Sequence, residues 1–247
     1  MNSVSDGKSK ILVLVEGAKT DVKLMQKLFE VYGISERYEI LSYNTNIYTL
    51  YREMFSDGDP SSIDTLQNLK EHERDAEKKK LFDNRYSDIL LIFDLDPQDP
   101  QFSGDKITEM AEYFTESSDM GKLYINYPMV EAFYHMKSIP DNDFDTYTSS
   151  MEELKNRQYK RRVNLENRDR DYGKFIKNRN ECNTVIRQHI AKAWKIVASS
   201  ADEGVTPDAQ DILRTQLSLL SDLEKVYVLC TCCYYIAEYN PDWIKLE

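Results

Sequence analysis

Four cysteines and three histidines are all that 247 residues carry of those types, and their spacing suits neither a zinc site nor a disulfide framework. Among Cys182, Cys230, Cys232 and Cys233, the single C-x-x-C from Cys230 to Cys233 has no second C-x-x-C to pair with. The last three fall in an apolar segment, where cysteine behaves as a small hydrophobe. His72 stands in a heavily charged stretch that reads as a solvent face, and His135 and His189 sit among apolar and aromatic residues as structural groups. Basic charge is also scarce: 32 Lys+Arg against 43 Asp+Glu leave a net charge of -11. That excludes a protein coated in nucleic acid, because phosphate binding needs a positive face, and any such face must be local. Long apolar runs are missing as well. "VYVLCTCCYYIAEY" is too short and too rich in tyrosine to span a bilayer, and "MNSVSDGKSK" lacks the apolar centre of a signal peptide. The expectation is a soluble, cytoplasmic protein with no membrane partner, long enough to bury a sizeable core unaided.

What is present first is alternation. Short apolar runs at Lys10 to Val15, Tyr38 to Tyr43, Ile89 to Phe93 and Lys122 to Asn126 predict strands. Between them lie amphipathic stretches that predict helices: "TDVKLMQKLFEVYG", with Val22, Met25, Leu28, Phe29 and Tyr32 on one face and Gly33 as its stop, a charged helix from Asp64 to Phe82, and "GDKITEMAEYFTES". "PMVEAFYHMK" predicts a further helix with Pro128 in its first turn. Such a pattern implies an α/β fold, a mostly parallel sheet flanked by helices. From about residue 140 the pattern changes. The expected organisation is a catalytic α/β domain over 8–138, a polar linker over 139–150 and an all-helical region over 151–247. Its helices are expected at Met151 to Leu165, Gly173 to Val197, Asp208 to Leu220 and Leu223 to Tyr239, the last pair offering core or a homodimer face.

Acidic residues mark the strand ends. Glu16 follows the first strand, Asp94 and Asp96 the third, and Asn126 ends the fourth with Glu131 shortly after. Ligands of open parallel sheets gather at those ends. If the first and third strands are neighbours, Glu16 and Asp94 approach within about 5–10 Å. Carboxylates that close require a cation, and Mg²⁺ or Mn²⁺ suits them, being hard ions that take carboxylate oxygens and bridge to phosphate. Asp94 and Asp96 alternate along an extended segment, so both reach one ion only if the backbone bends between them. Gly17, lacking Cβ, allows a sharp turn. Asp21 is also explained as an acid at a helix N-terminus.

"LVEGAKTDVKLMQKLF" followed by "LLIFDLD" resembles the TOPRIM domain of topoisomerases, primases and OLD-family nucleases, over about residues 8 to 137. The resemblance implies a metal-dependent endonuclease acting on RNA such as tRNA, or on DNA. Glu16, Asp94 and Asp96 match the family's catalytic and metal-binding acids, Asp21 its additional nuclease acid, and Glu131 of "NYPMVEAFYH" a further metal ligand. One residue more than the common "VEGxTD" separates Gly17 from Asp21. Small proteins of this type, including the nuclease subunit of the PARIS anti-phage system, imply a defence effector or toxin that works beside an ABC-type ATPase. Two other readings stay open: a haloacid-dehalogenase-like phosphatase with Asp94 as nucleophile and Asp96 as acid, disfavoured by Gln98 where Thr or Val is wanted, and an inactive TOPRIM-like binding module.

Between Lys155 and Arg179 ten Lys/Arg face three Asp/Glu. Lys155, Arg157, Lys160, Arg161, Arg162, Arg168, Lys174 and Lys177 are the expected nucleic-acid contacts. Tyr159, Tyr172 and Phe175 are interleaved as candidates to stack on unpaired bases. A solvated linker is the plainer alternative.

Overall fold

Ile11 to Val15, five apolar residues in succession, are each at most 1 % exposed, as a strand covered on both faces requires. The computed structural model describes residues 10–55, 64–118, 120–198 and 206–245. Its main sheet holds β1 (Lys10–Val15), β2 (Tyr38–Ser42), β3 (Tyr86–Asp94), β4 (Thr115–Glu116) and β5 (Gly121–Asn126), in the order β2-β1-β3-β5-β4. β1 runs parallel to β2 and to β3, with Val15 opposite Ser42 and Ile92, whereas the short β4 is antiparallel to β5. The mostly parallel α/β sheet flanked by helices follows the alternation in the sequence. No helix among the described residues is long and apolar enough to cross a membrane.

The chain divides into two compact units, Met1–Ile92 with Tyr113–Leu123, and Phe93–Glu112 with Tyr124–Glu247. In the first, the helix Thr20–Tyr32 buries Leu24, Met25, Leu28, Phe29 and Tyr32. Leu24 takes the place expected for Val22. Gly33, at φ 66, ends the helix by donating its N–H to the Glu30 carbonyl, the left-handed stop that glycine adopts without a Cβ penalty. A further helix, Ile47–Phe55, follows β2. The charged helix expected from Asp64 to Phe82 is two helices, Thr65–His72 and Ala76–Leu81. Asp64 accepts from the Gln67 N–H, Asp75 from those of Glu77 and Lys78, and Glu73 from those of Arg74 and Asp75. Acid side chains thus take the backbone donors that a continuous helix would need, and each helix gains its own cap.

In the second unit the all-helical expectation fails at β7 (Lys225–Tyr227), which pairs antiparallel with β6 (Thr148–Ser150). The helix Ala209–Leu223 stops at Glu224, φ 50. Gln216 then bonds Tyr227 from both ends of its amide, donating to the carbonyl at 3.1 Å and accepting from the N–H at 2.8 Å. The apolar stretch expected as a helix from Leu223 to Tyr239 is therefore a strand, an irregular buried passage and the short helix Tyr234–Tyr239. A brief apolar run rich in valine and tyrosine fits a strand as well as a helix, and non-local pairing decides. Residues 139–150, expected as a linker, hold buried Asp141, Phe144 and Ser149. Lys192, itself buried, donates to the Phe144 and Tyr147 carbonyls at 2.8 and 2.7 Å. The helices expected from Met151 and Gly173 begin instead as Met151–Lys155 and Tyr159–Glu166, and as Arg179–Ile196.

His189, wholly buried on that last helix, accepts the Cys230 N–H at Nδ1, 3.1 Å away. A backbone N–H only donates, so this nitrogen carries no proton. Burial, ahead of the neighbouring Lys192 ammonium, holds the imidazole down at about 3, and burial likewise holds His135 at about 4. Unfolded, each returns to about 6.5. The unfolded chain therefore binds more protons below that value, and stability that is full above pH 6.5 falls as pH drops. From pH 7 to pH 5, His189 alone is expected to remove about 2 kcal/mol of unfolding free energy. Urea titrations across that interval measure it, and a flat profile would contradict the neutral, accepting His189.

Candidate metal centre

The register of β1 against β3 sets the geometry. Glu16 follows Val15 and donates its N–H to the Ile92 carbonyl at 3.1 Å, and Asp94 is the last residue of the same β3. Glu16, Asp94 and Asp96 each offer a carboxylate oxygen, all within 4.8 Å of one another. This acidic triad could hold a metal ion. Asp94 is buried, and its Oδ1 accepts from the Val130 N–H at 2.8 Å and from Asn126 Nδ2 at 3.4 Å. Asp96 has φ 40, the bend that lets alternate residues of a strand face one point. Its N–H donates to the Pro128 carbonyl at 3.1 Å, and its Oδ1 accepts from Gln98 Nε2 at 3.0 Å. Left-handed backbone at an aspartate costs on the order of 1 kcal/mol, offset here by those two bonds. Burial raises the Asp96 carboxyl above its usual range, with Glu131 and Asp99 adding to the rise and Gln98 and Lys160 opposing it.

Asp21 and Glu131 are not members of the triad. Asp21 is buried in the first turn of its helix, under Gly17. A Cβ on Gly17 would lie 2.5 Å from Asp21 Oδ2, so any larger residue there forces the buried Asp21 carboxylate to shift. Gly17→Ala is expected to lower unfolding free energy by about 1–3 kcal/mol. In an Asp21→Ala background the same change should cost far less. Urea titrations of the four proteins in that cycle check it, and strictly additive costs would show that the carboxylate is not what the methyl group meets.

Glu131 is 3 % exposed and lies in the 3₁₀ turn Val130–Tyr134, not in the helix expected there. Its Oε1 pairs with Lys160 Nζ at 3.2 Å, while Oε2 is buried with no hydrogen-bond partner. Burial disfavours the Lys160 charge, but Glu131, and then Asp94 and Asp96, outweigh it and raise the ammonium above its ordinary range. A residue expected to grip a nucleic-acid strand thus stands against the acidic centre itself.

Sequence reasoning missed the support behind Asp94. Asn126 Oδ1 accepts from Cys230 Sγ and from the Cys232 N–H, both at 3.3 Å, which turns its amide nitrogen toward Asp94. Asn126 at a strand end was a visible signal; the cysteines, more than a hundred residues away, were not.

Elsewhere in the basic segment Lys155, Arg157, Arg161, Lys174 and Lys177 are exposed. Arg162 and Arg168 are committed to the fold. Arg162 pairs with Glu153 at 3.1 Å and donates to the Thr148 carbonyl. Arg168 binds Asp169 and Glu181, each at 2.9 Å, and the Phe175 carbonyl. The stacking expectation is corrected too: Tyr159 and Phe175 are at most 1 % exposed, and Tyr172 stacks on Tyr134 with centroids 4.2 Å apart. Tyr159 and Val163, four apart, form the buried edge of a helix whose charged residues, Lys160, Arg161, Arg162 and Glu166, lie off that edge. No family model, curated protein or solved structure matches the chain.

Proposed function

We propose that the protein is a divalent-metal-dependent nuclease of TOPRIM type that hydrolyses phosphodiester bonds. The observation that carries this reading is the convergence of Glu16, Asp94 and Asp96 within 4.8 Å at the carboxyl ends of two adjacent parallel strands. Three hard oxygen donors suit Mg²⁺ or Mn²⁺, and Glu131, next to the Val130 whose N–H holds Asp94, adds a buried carboxylate oxygen without a hydrogen-bond partner. A bound ion of this kind would polarise a phosphoryl oxygen and acidify a water. The chain's own part is to present Asp94 in one orientation, through the Val130 N–H and the Asn126 amide, and to turn Asp96 toward the same point. Exposed Lys155, Arg157, Arg161, Lys174 and Lys177 are available to the phosphates of a nucleic acid. An anti-phage role beside an ABC-type ATPase belongs to the same proposal and rests on the TOPRIM resemblance.

The test is incubation of the purified protein with Mg²⁺ or Mn²⁺ and, separately, tRNA, other RNA, single-stranded DNA and duplex DNA. Metal-dependent cleavage of one of these is expected. Turnover of small phosphomonoesters alone would favour the phosphatase reading, and metal binding without turnover the binding module.

A further inference from the structure

The Glu131–Lys160 pair is built unlike a surface ion pair. The Glu131 side chain is 4 % exposed, whereas that of Lys160 is 58 % exposed. One carboxylate oxygen holds the ammonium at 3.2 Å, and the other is buried without a hydrogen bond. A buried carboxylate with one bare oxygen is unfavourable unless positive charge lies near. Glu131 directly follows Val130, whose N–H holds Asp94 Oδ1 at 2.8 Å, so the ammonium stands beside the acidic centre, and Asp94 and Asp96 as well as Glu131 favour its charged form. It is therefore a counter-cation of the acidic centre, not of one partner only. It is also mobile by construction, a single charge on a flexible four-carbon stem rooted in the first turn of the helix Tyr159–Glu166.

We propose that Lys160 is a tethered cation that competes with a divalent ion for the acidic centre, with Glu131 as its anchor. The inference rests on the metal centre of the proposed function, and concerns how that centre is loaded. A divalent ion held by Asp94 and Asp96 would repel the ammonium and weaken its hold on Glu131, and the exposed Lys160 stem would let it swing toward solvent. No bond is made or broken in that exchange, and no proton is transferred. Lys160 acts through the carboxylates, as a positioning residue.

Calorimetric titration with Mn²⁺ in about 0.15 M salt tests the competition on the intact chain, because that salt screens exposed charges beyond about 8 Å. Lys160→Met leaves the buried Glu131 carboxylate without its counter-charge, so a urea titration first confirms that the variant is folded under the conditions of the calorimetry; folded, it should bind Mn²⁺ at least about fivefold more tightly. Lys160→Arg keeps the charge and should restore wild-type affinity to within about twofold. Lys155→Met, an equal charge change at an exposed residue, should leave affinity unchanged. Unchanged or weaker binding in Lys160→Met would overturn the proposal. So would equal tightening in Lys155→Met, which would trace the effect to net charge. Cleavage assays on the same proteins separate the two ideas. An active wild-type nuclease whose Mn²⁺ affinity ignores Lys160→Met keeps the proposed function and loses the competition. An inactive wild type that shows the tightening does the reverse.

Discussion

Asp94→Asn is expected to abolish measurable Mn²⁺ binding and, in the nuclease proposed above, to lower metal-dependent cleavage at least about a hundredfold, while leaving the fold intact. Changes to groups that merely orient a metal ligand cost about 10–100-fold in affinity or activity, so loss of a ligand's charge should cost at least the upper end. Asparagine is the informative substitute. Asp94 Oδ1 accepts the Val130 N–H at 2.8 Å, and an amide oxygen can keep that bond, so no buried backbone donor is orphaned. Alanine would orphan it, at about 1–3 kcal/mol, and confuse unfolding with loss of chemistry. Initial cleavage rates and Mn²⁺ calorimetry, beside a urea titration showing near-native stability, make the comparison. Rates within about threefold of wild type would remove Asp94 from the centre.

The acidic triad was legible in the sequence to the extent that local rules determine it. Two short apolar runs, Ile11 to Val15 and Ile89 to Phe93, alternate with longer amphipathic stretches and so read as central strands, and their parallel pairing carries Glu16 and Asp94 to the same end of the sheet. The bend that recruits Asp96 was legible as a requirement but not as a fact: nothing in "DLDP" announces φ 40. Lys160 and the Asn126–Cys230 contact were beyond reach, because each joins residues widely separated in sequence, and single-sequence patterns hold no distance between such positions. The helical half was misread for a related reason. Counting lysines and arginines between 155 and 179 gives charge without orientation. Whether Arg168 meets a phosphate or Glu181, or whether Lys225–Tyr227 is helix or strand, depends on what the fold sets beside it.

Tyr159→Ala is expected to destabilise the protein by about 3–5 kcal/mol, the range for removing a buried aromatic ring. The ring is 1 % exposed. It meets His135 edge-on with centroids 5.5 Å apart, and the Arg162 guanidinium lies over it at 5.5 Å. Its hydroxyl contacts His135 Nδ1 at 3.3 Å, while His135 Nε2 meets Glu166 Oε2 at 3.0 Å. Tyr159→Phe keeps the ring and loses one modest hydrogen bond, so it should cost only about 1 kcal/mol. That gap between the two variants is the signature of a packing role. A base-stacking tyrosine would behave oppositely, since its removal costs about 1–3 kcal/mol in nucleic-acid affinity and almost nothing in stability. Urea titration and nucleic-acid binding measured on both variants therefore separate the roles. Collapse around the missing ring would displace the short helix Tyr159–Glu166 that the ring anchors. Loss of activity in Tyr159→Ala would then reflect a displaced helix, and Tyr159→Phe, with its ring in place, should cleave as well as wild type.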